Sequence, residues 1–205
     1  EVERGQTEGE GVWISLGRYT FAGTPKVELH QPSSGAGDSL CADAVGIVEK
    51  IPSSGRRFEI IQGSWDSDNS GEAWEGHHYD TSDGSSSAPH VARWYPYVTE
   101  DGDYNVYVRF RDDDRYATAA PYRVVSNNGA DTDAVTVDQS DDANLGDQWV
   151  PIGTYTFTST GGENEYVEIG TDINGNPIVP DDLEDEDNDD PAWVSADAVA
   201  FVLAD

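Results

Sequence analysis

Apolar and polar positions alternate through most of the chain with the two-residue period of β-strands. The clearest run is Asp103–Phe110, where Tyr104, Val106, Val108 and Phe110 fall on one strand face. Shorter runs rich in β-branched and aromatic residues predict strands over 12–21, 27–29, 42–48, 57–61, 91–98, 120–125, 134–139, 149–157, 166–169 and 193–203. Turn residues separate them. Glu100-Asp-Gly102 is one turn, and Asn127-Asn-Gly129 joins two strands as a hairpin does. No stretch carries the apolar period of an amphipathic helix. Many short strands with frequent turns predict an all-β protein, an antiparallel β-sandwich of jelly-roll-like kind. On this reading Trp13, Trp94, Tyr104 and Trp149 are core residues.

One strand pattern occurs twice. Trp13-Ile-Ser-Leu-Gly-Arg-Tyr-Thr-Phe21 returns as Trp149-Val-Pro-Ile-Gly-Thr-Tyr-Thr-Phe157. Val27-Glu-Leu29 answers Val167-Glu-Ile169, and Cys41-Ala-Asp-Ala-Val45 answers Ser195-Ala-Asp-Ala-Val199. The shared Gly17 position reads as a bulge or a close backbone approach. Such a repeat sets the domain count. Residues 1–50 form a half-sized first unit and residues 51–205 a complete second one, with Ile51-Pro-Ser-Ser-Gly55 between them. Half a sandwich exposes an apolar face and free sheet edges, so the first unit needs cover. The second unit, a preceding stretch of a longer precursor, or another subunit in a donor-strand arrangement could supply it.

Two polar stretches carry the candidate chemistry. Gly63–Pro89 reads as a long Ser-, Asp- and Gly-rich loop, and loops of that length are often functional. It holds Trp65, Trp74 and Tyr79, whose rings are candidate platforms for the C–H faces of sugars. The alternative is that the loop folds over one end of the sandwich and buries them. His77-His78-Tyr79-Asp80 reads as solvated loop residues rather than a catalytic group. Asp66-x-Asp68 opens as a calcium loop does, but its twelfth position is His77 instead of Glu. Asp172-x-Asn174 is similar in the acidic loop 172–190. Calcium held by Asp66, Asp68, Asp172 and Asn174 is the one cofactor considered, against plainly hydrated acidic loops. Asp43 and Asp197, each in Ala-Asp-Ala, read as structural carboxylates accepting backbone hydrogen bonds. No spacing supports a nucleophilic triad, a phosphate loop or a glycosidase carboxylate pair, so no catalytic residue is assigned.

Charge narrows the setting. The 205 residues include 41 acidic and 11 basic side chains, a net charge of −30, and only Lys26 and Lys50 are lysines. So much charge on a globular pattern suits multimolar salt, where repulsion is screened within roughly 3 Å at 1 M. A halophilic origin is the expectation, with an acidic surface for a basic partner as the alternative. The same field opposes binding to nucleic-acid phosphates or anionic membranes. Cys41 is the only cysteine, so neither an intrachain disulfide nor a Cys-based zinc site can form. No transmembrane run or signal peptide is visible. The chain opens on Glu1, which reads as a processed product or part of something longer.

The ordered motifs Ala92-x-Trp94-x-Pro96, Gly102-x-Tyr104-x-Val-Tyr107, Ala120-x-Tyr122-x-Val124, Val137-Asp-Gln139, Trp149–Phe157 and Ala196-Asp-Ala-Val199 resemble one known module. It is the golvesin and xanthan-lyase type of carbohydrate-binding-like domain. The resemblance covers about residues 57–203 in full, whereas residues 1–48 match only the module's second half. It implies a β-sandwich with a non-catalytic, extracellular, glycan-related role, and it carries no ligand residues over. The acidic loop 172–190 and the half-sized first unit depart from the pattern. Two functions follow as expectations. One is an extracellular or cell-surface module for a polysaccharide or surface glycan. The other is a structural subunit of a filament, appendage or virion surface, with neighbouring subunits as its partners.

Overall fold

A computed structural model describes residues 27–28, 58–68, 78–81, 87–140, 143, 145–185 and 192–204. The chain divides into two compact units, Glu1–Ile47 and Val48–Asp205. Trp13–Phe21, Cys41, Asp43, Trp74 and His77 lie outside the described residues.

The second unit is an antiparallel sandwich. Its strands are β1 (Phe58–Gln62), β2 (Asp66–Asp68), β3 (His78–Asp80), β4 (Val91–Trp94), β5 (Gly102–Arg109) and β6 (Ala120–Ser126). They continue with β7 (Asp131–Val137), β8 (Val150–Phe157), β9 (Tyr166–Ile169), β10 (Ser195–Ala196) and β11 (Ala198–Leu203). A five-stranded sheet has the order β1-β4-β9-β6-β7, and the facing three-stranded sheet the order β11-β5-β8. A small third sheet, β10-β3-β2, completes the unit. The chain crosses between the two main sheets at β4–β5, β5–β6, β7–β8 and β8–β9, as sandwich connections of Greek-key kind do. Among the described residues the only helices are three-residue 3₁₀ turns.

The period-two alternation explains the core. Tyr104, Val106, Val108 and Phe110 share one buried cluster with Ile152 and Phe157 of β8, and with Trp94, Tyr122, Val124, Val167 and Ile169 of the other sheet. Burying each large apolar side chain contributes about 1.5–3 kcal/mol. The opposite face of the five-stranded sheet carries a cross-strand charge row. Register sets Glu59 beside Arg93, Arg93 beside Glu168, and Glu168 beside Arg123. Glu168 is 1% exposed; it pairs with Arg93 and Arg123 and accepts the Thr171 hydroxyl at 2.6 Å.

Five expectations change. Gly63–Pro89 is not structureless, because β2 and β3 lie within it. His78 is not solvated: it sits fully buried on β3 with Nε2 3.6 Å from the Asp80 carboxylate. The hairpin's second strand starts at Asp131 and ends at Val137, so it is shifted toward the turn from 134–139. The closing strand is two strands, since Ser195–Ala196 pairs with β3 and Ala198–Leu203 with β5. Asp197 lies at that break, its buried carboxylate 3.3 Å from Arg109 Nε. Trp149 is half-buried rather than central.

Candidate functional site

Among the described residues, β7 and β8 are edge strands of the two main sheets, each pairing on one side only. Between them lies a groove of about 300 Å³, lined by Ser126, Asp131, Thr132, Asp133, Thr154, Tyr155 and Thr156. Local sequence builds both walls. On the β7 side, Asn127, Asn128 and Gly129 all hold positive φ (50°, 54° and 83°), which turns β6 back into β7. Asp131 and Asp133, two residues apart on β7, sit about 7 Å from one another. On the β8 side, Gly153 at φ 143° accompanies a register shift opposite Val106 and Tyr107. A Cβ there would fall 2.6 Å from the Tyr155 hydroxyl, so the position needs glycine. The repeat's shared glycine is thus a bulge in this copy.

Hydrogen bonds fix the polarity of the groove. Tyr155 donates its hydroxyl proton to Ile152 O at 2.8 Å. Thr154 donates to Asn105 Oδ1 at 2.7 Å, and Thr156 to Asp103 Oδ1 at 2.6 Å. Asp131 Oδ2 accepts from Asn127 Nδ2 and Asp133 Oδ1 from the Ala134 N–H, each at 2.9 Å. Their second oxygens, Asp131 Oδ1 and Asp133 Oδ2, remain open acceptors. Burial first, and then the Asp133 charge, push the Tyr155 phenol above its ordinary pKa, so it stays protonated.

Glu165 ties the two walls together. It is fully buried, and its carboxylate accepts the Asn128 N–H at 2.7 Å, the Thr158 N–H at 3.1 Å to both oxygens, and the Thr158 hydroxyl at 3.2 Å. Asn128 is in the β6–β7 turn, and Thr158 directly follows β8. One carboxylate therefore sets the spacing of the groove.

The residues singled out in the sequence lie elsewhere. Trp65 is half-buried. Its Nε1 donates to Gln62 O at 3.1 Å, and its ring meets the edge of His90 at 6.1 Å. Tyr79 is half-buried and stacks on Phe58 at 4.9 Å. Both pack against the core cluster. β2 places Asp66 opposite Asp80 and Asp68 opposite His78. Asp172 folds its own loop: Oδ1 accepts the N–H groups of Asn174 and Asn176, and Oδ2 the Asn176 amide. Those bonds, the Asn176 amide foremost, hold its carboxyl below the ordinary pKa. Asn174 is exposed beside it. Among the described residues, no group of three or more His, Cys, Asp or Glu side chains is arranged to hold a metal ion. No helix among them is long and apolar enough to cross a membrane.

Comparison with known proteins agrees with this architecture. No curated protein sequence matches the chain. A solved structure, that of a Paenibacillus xanthan lyase, superposes with a TM-score of 0.55 at 20% identity. The match covers 76% of this chain but only 12% of that enzyme, and it establishes a shared fold. The model of the Golvesin C-terminal domain matches residues 53–203. The chain belongs to the Golvesin C-terminal domain family.

Proposed function

We propose that the protein is a non-catalytic glycan-binding module that works at an extracellular or cell surface in high salt. The carrying observation is the β7–β8 groove, which offers carboxylate and hydroxyl acceptors beside a fixed tyrosine ring. Small-ligand sites are concave and present a few convergent polar groups of this kind. Sugars match both features through their hydroxyls and C–H faces. Family membership and the fold shared with part of a protein named as a xanthan lyase support the same reading. The composition supports the saline setting, for 41 acidic against 11 basic side chains repel strongly unless screened. No catalytic step is ascribed to the groove.

The alternative of a structural subunit in a surface assembly draws on a different feature. Among the described residues β1 pairs on one side only, and Ile60 and Ile61 on it are each 40% exposed. Exposed apolar edges invite strand addition. One assay separates the two readings. The full chain, in molar KCl, is passed over immobilised polysaccharides. A glycan module is held by at least one of them and released by the free oligosaccharide. A subunit that only assembles passes through unretained.

A further inference from the structure

The lining of the groove is unbalanced in hydrogen-bonding type, and the imbalance selects a ligand class. The hydroxyl protons of Tyr155, Thr154 and Thr156 are all committed within the protein. Their oxygens face the groove's ligand as acceptors only. Asp131 Oδ1 and Asp133 Oδ2 are acceptors without protons. Among the described residues, no arginine, lysine or histidine lines the cavity. Only Ser126 and Thr132 add hydroxyls that can still donate, so acceptors predominate and a ligand that brings donors is favoured. A uronate carboxylate or a sulfate ester brings acceptors and negative charge, and would meet two carboxylates without a compensating cation. Like charges set side by side without a cation disfavour a complex and are a usual source of discrimination.

Resting on the glycan-binding reading above, we infer that the β7–β8 groove binds an uncharged saccharide and rejects acidic glycans. The hydroxyls of the sugar donate to Asp131 and Asp133, and one ring face lies on Tyr155. The spacing of about 7 Å between the two aspartates is on the scale of one hexose with its neighbouring linkage. A cavity of about 300 Å³ holds one or two sugar units and leaves the rest of a polymer outside. Charge-assisted hydrogen bonds to the carboxylates supply selectivity, because a saccharide lacking those hydroxyls leaves them unpaired.

The test is affinity electrophoresis of the full chain in gels containing neutral polysaccharides (dextran, galactomannan, xyloglucan), anionic ones (alginate, xanthan) or cationic chitosan. Asp131→Asn/Asp133→Asn and Tyr155→Phe variants run alongside, with circular dichroism as the fold control. The expected result is retardation in at least one neutral gel and none in alginate or xanthan. The double Asn variant, which turns two acceptor positions into mixed donor and acceptor groups, should lose retardation at least tenfold. Tyr155→Phe, which keeps the ring, should retain most of it. Retardation confined to anionic gels or to chitosan would overturn the selectivity while leaving glycan binding intact. Neutral retardation unchanged in the double variant would move the site out of the groove. No retardation in any gel would remove the glycan-binding reading itself.

Discussion

Glu165→Gln isolates the contact that spaces the groove walls. The substitution is nearly isosteric, so it leaves no cavity, but it replaces one carboxylate oxygen with an N–H donor. Glu165 is fully buried and receives two backbone N–H groups and a hydroxyl. The amide can keep one oxygen on Asn128 N–H. Its NH₂ then takes the place of Oε2, so Thr158 N–H keeps Oε1 but loses its second acceptor and meets a donor there. A hydrogen bond to a charged group is worth roughly 1.5–3 kcal/mol, and a buried orphan costs about 1–3 kcal/mol. No N–H is fully orphaned in the Gln variant, so the expected loss is that of the charge and one bond, about 1.5–3 kcal/mol. Glu165→Ala orphans both N–H groups and should cost about 3–5 kcal/mol on the same scale, softened by water reaching the exposed turn. For a domain of this size each kcal/mol lowers Tm by roughly 2–4 °C. The assay is thermal and guanidinium unfolding in molar KCl, followed by tryptophan fluorescence. Glycan affinity should fall in the Gln variant even where it is still folded, because wall spacing changes. A Gln variant within 0.5 kcal/mol of the natural protein would refute the role given to Glu165.

Two further perturbations probe the frame around the groove. His90 is buried against Trp65, and burial, opposed by hydrogen bonds to the backbone at Ala88 and Ser64, lowers its pKa below the ordinary 6.5. The unfolded chain therefore takes up the proton first, and stability should decline as pH falls below about 6.5. Guanidinium midpoints at pH 7.5 and 5.5 check this; a His90→Gln variant should show a shallower decline, and an equal slope would refute it. Glu168→Gln removes the shared partner of Arg93 and Arg123 at a buried site and should cost about 3 kcal/mol. Glu59→Gln, at the half-exposed end of the same row, should cost under about 1 kcal/mol. Equal losses in the same unfolding experiment would contradict the burial argument.

How much the sequence revealed depended on whether a residue's environment was local. β5 was legible because its alternation of Tyr104, Val106, Val108 and Phe110 matches a half-buried strand directly. β2 and β3 were not, since three-residue strands in a Ser- and Asp-rich stretch carry no period to read. His78 looked solvated for the same reason, although pairing with β2 and packing bury it. The closing strand looked continuous because nothing in Ala196-Asp-Ala198 announces a change of partner sheet. Trp65 and Tyr79 stood out as aromatics amid polar neighbours, yet Phe58 and His90 come from other strands to meet them. The groove escaped altogether. Nothing in the sequence singles out Asp131, Asp133, Thr154 or Thr156. Only the sandwich brings the two edges together. A usable signal was there in the repeated glycine, since Gly153 marks the bulge beside Tyr155.

The most direct test of the central claim is an amide chemical-shift map of the isotopically labelled full chain in molar KCl. The probe is the oligosaccharide released from the best-retained polysaccharide. The account predicts saturable shifts at Asp131, Thr132 and Asp133 of β7 and at Thr154, Tyr155 and Thr156 of β8, with residues near Trp65 and Tyr79 unmoved. Shifts centred on Trp65 and Tyr79 with β7 and β8 silent, or no saturable shift at all, would contradict it.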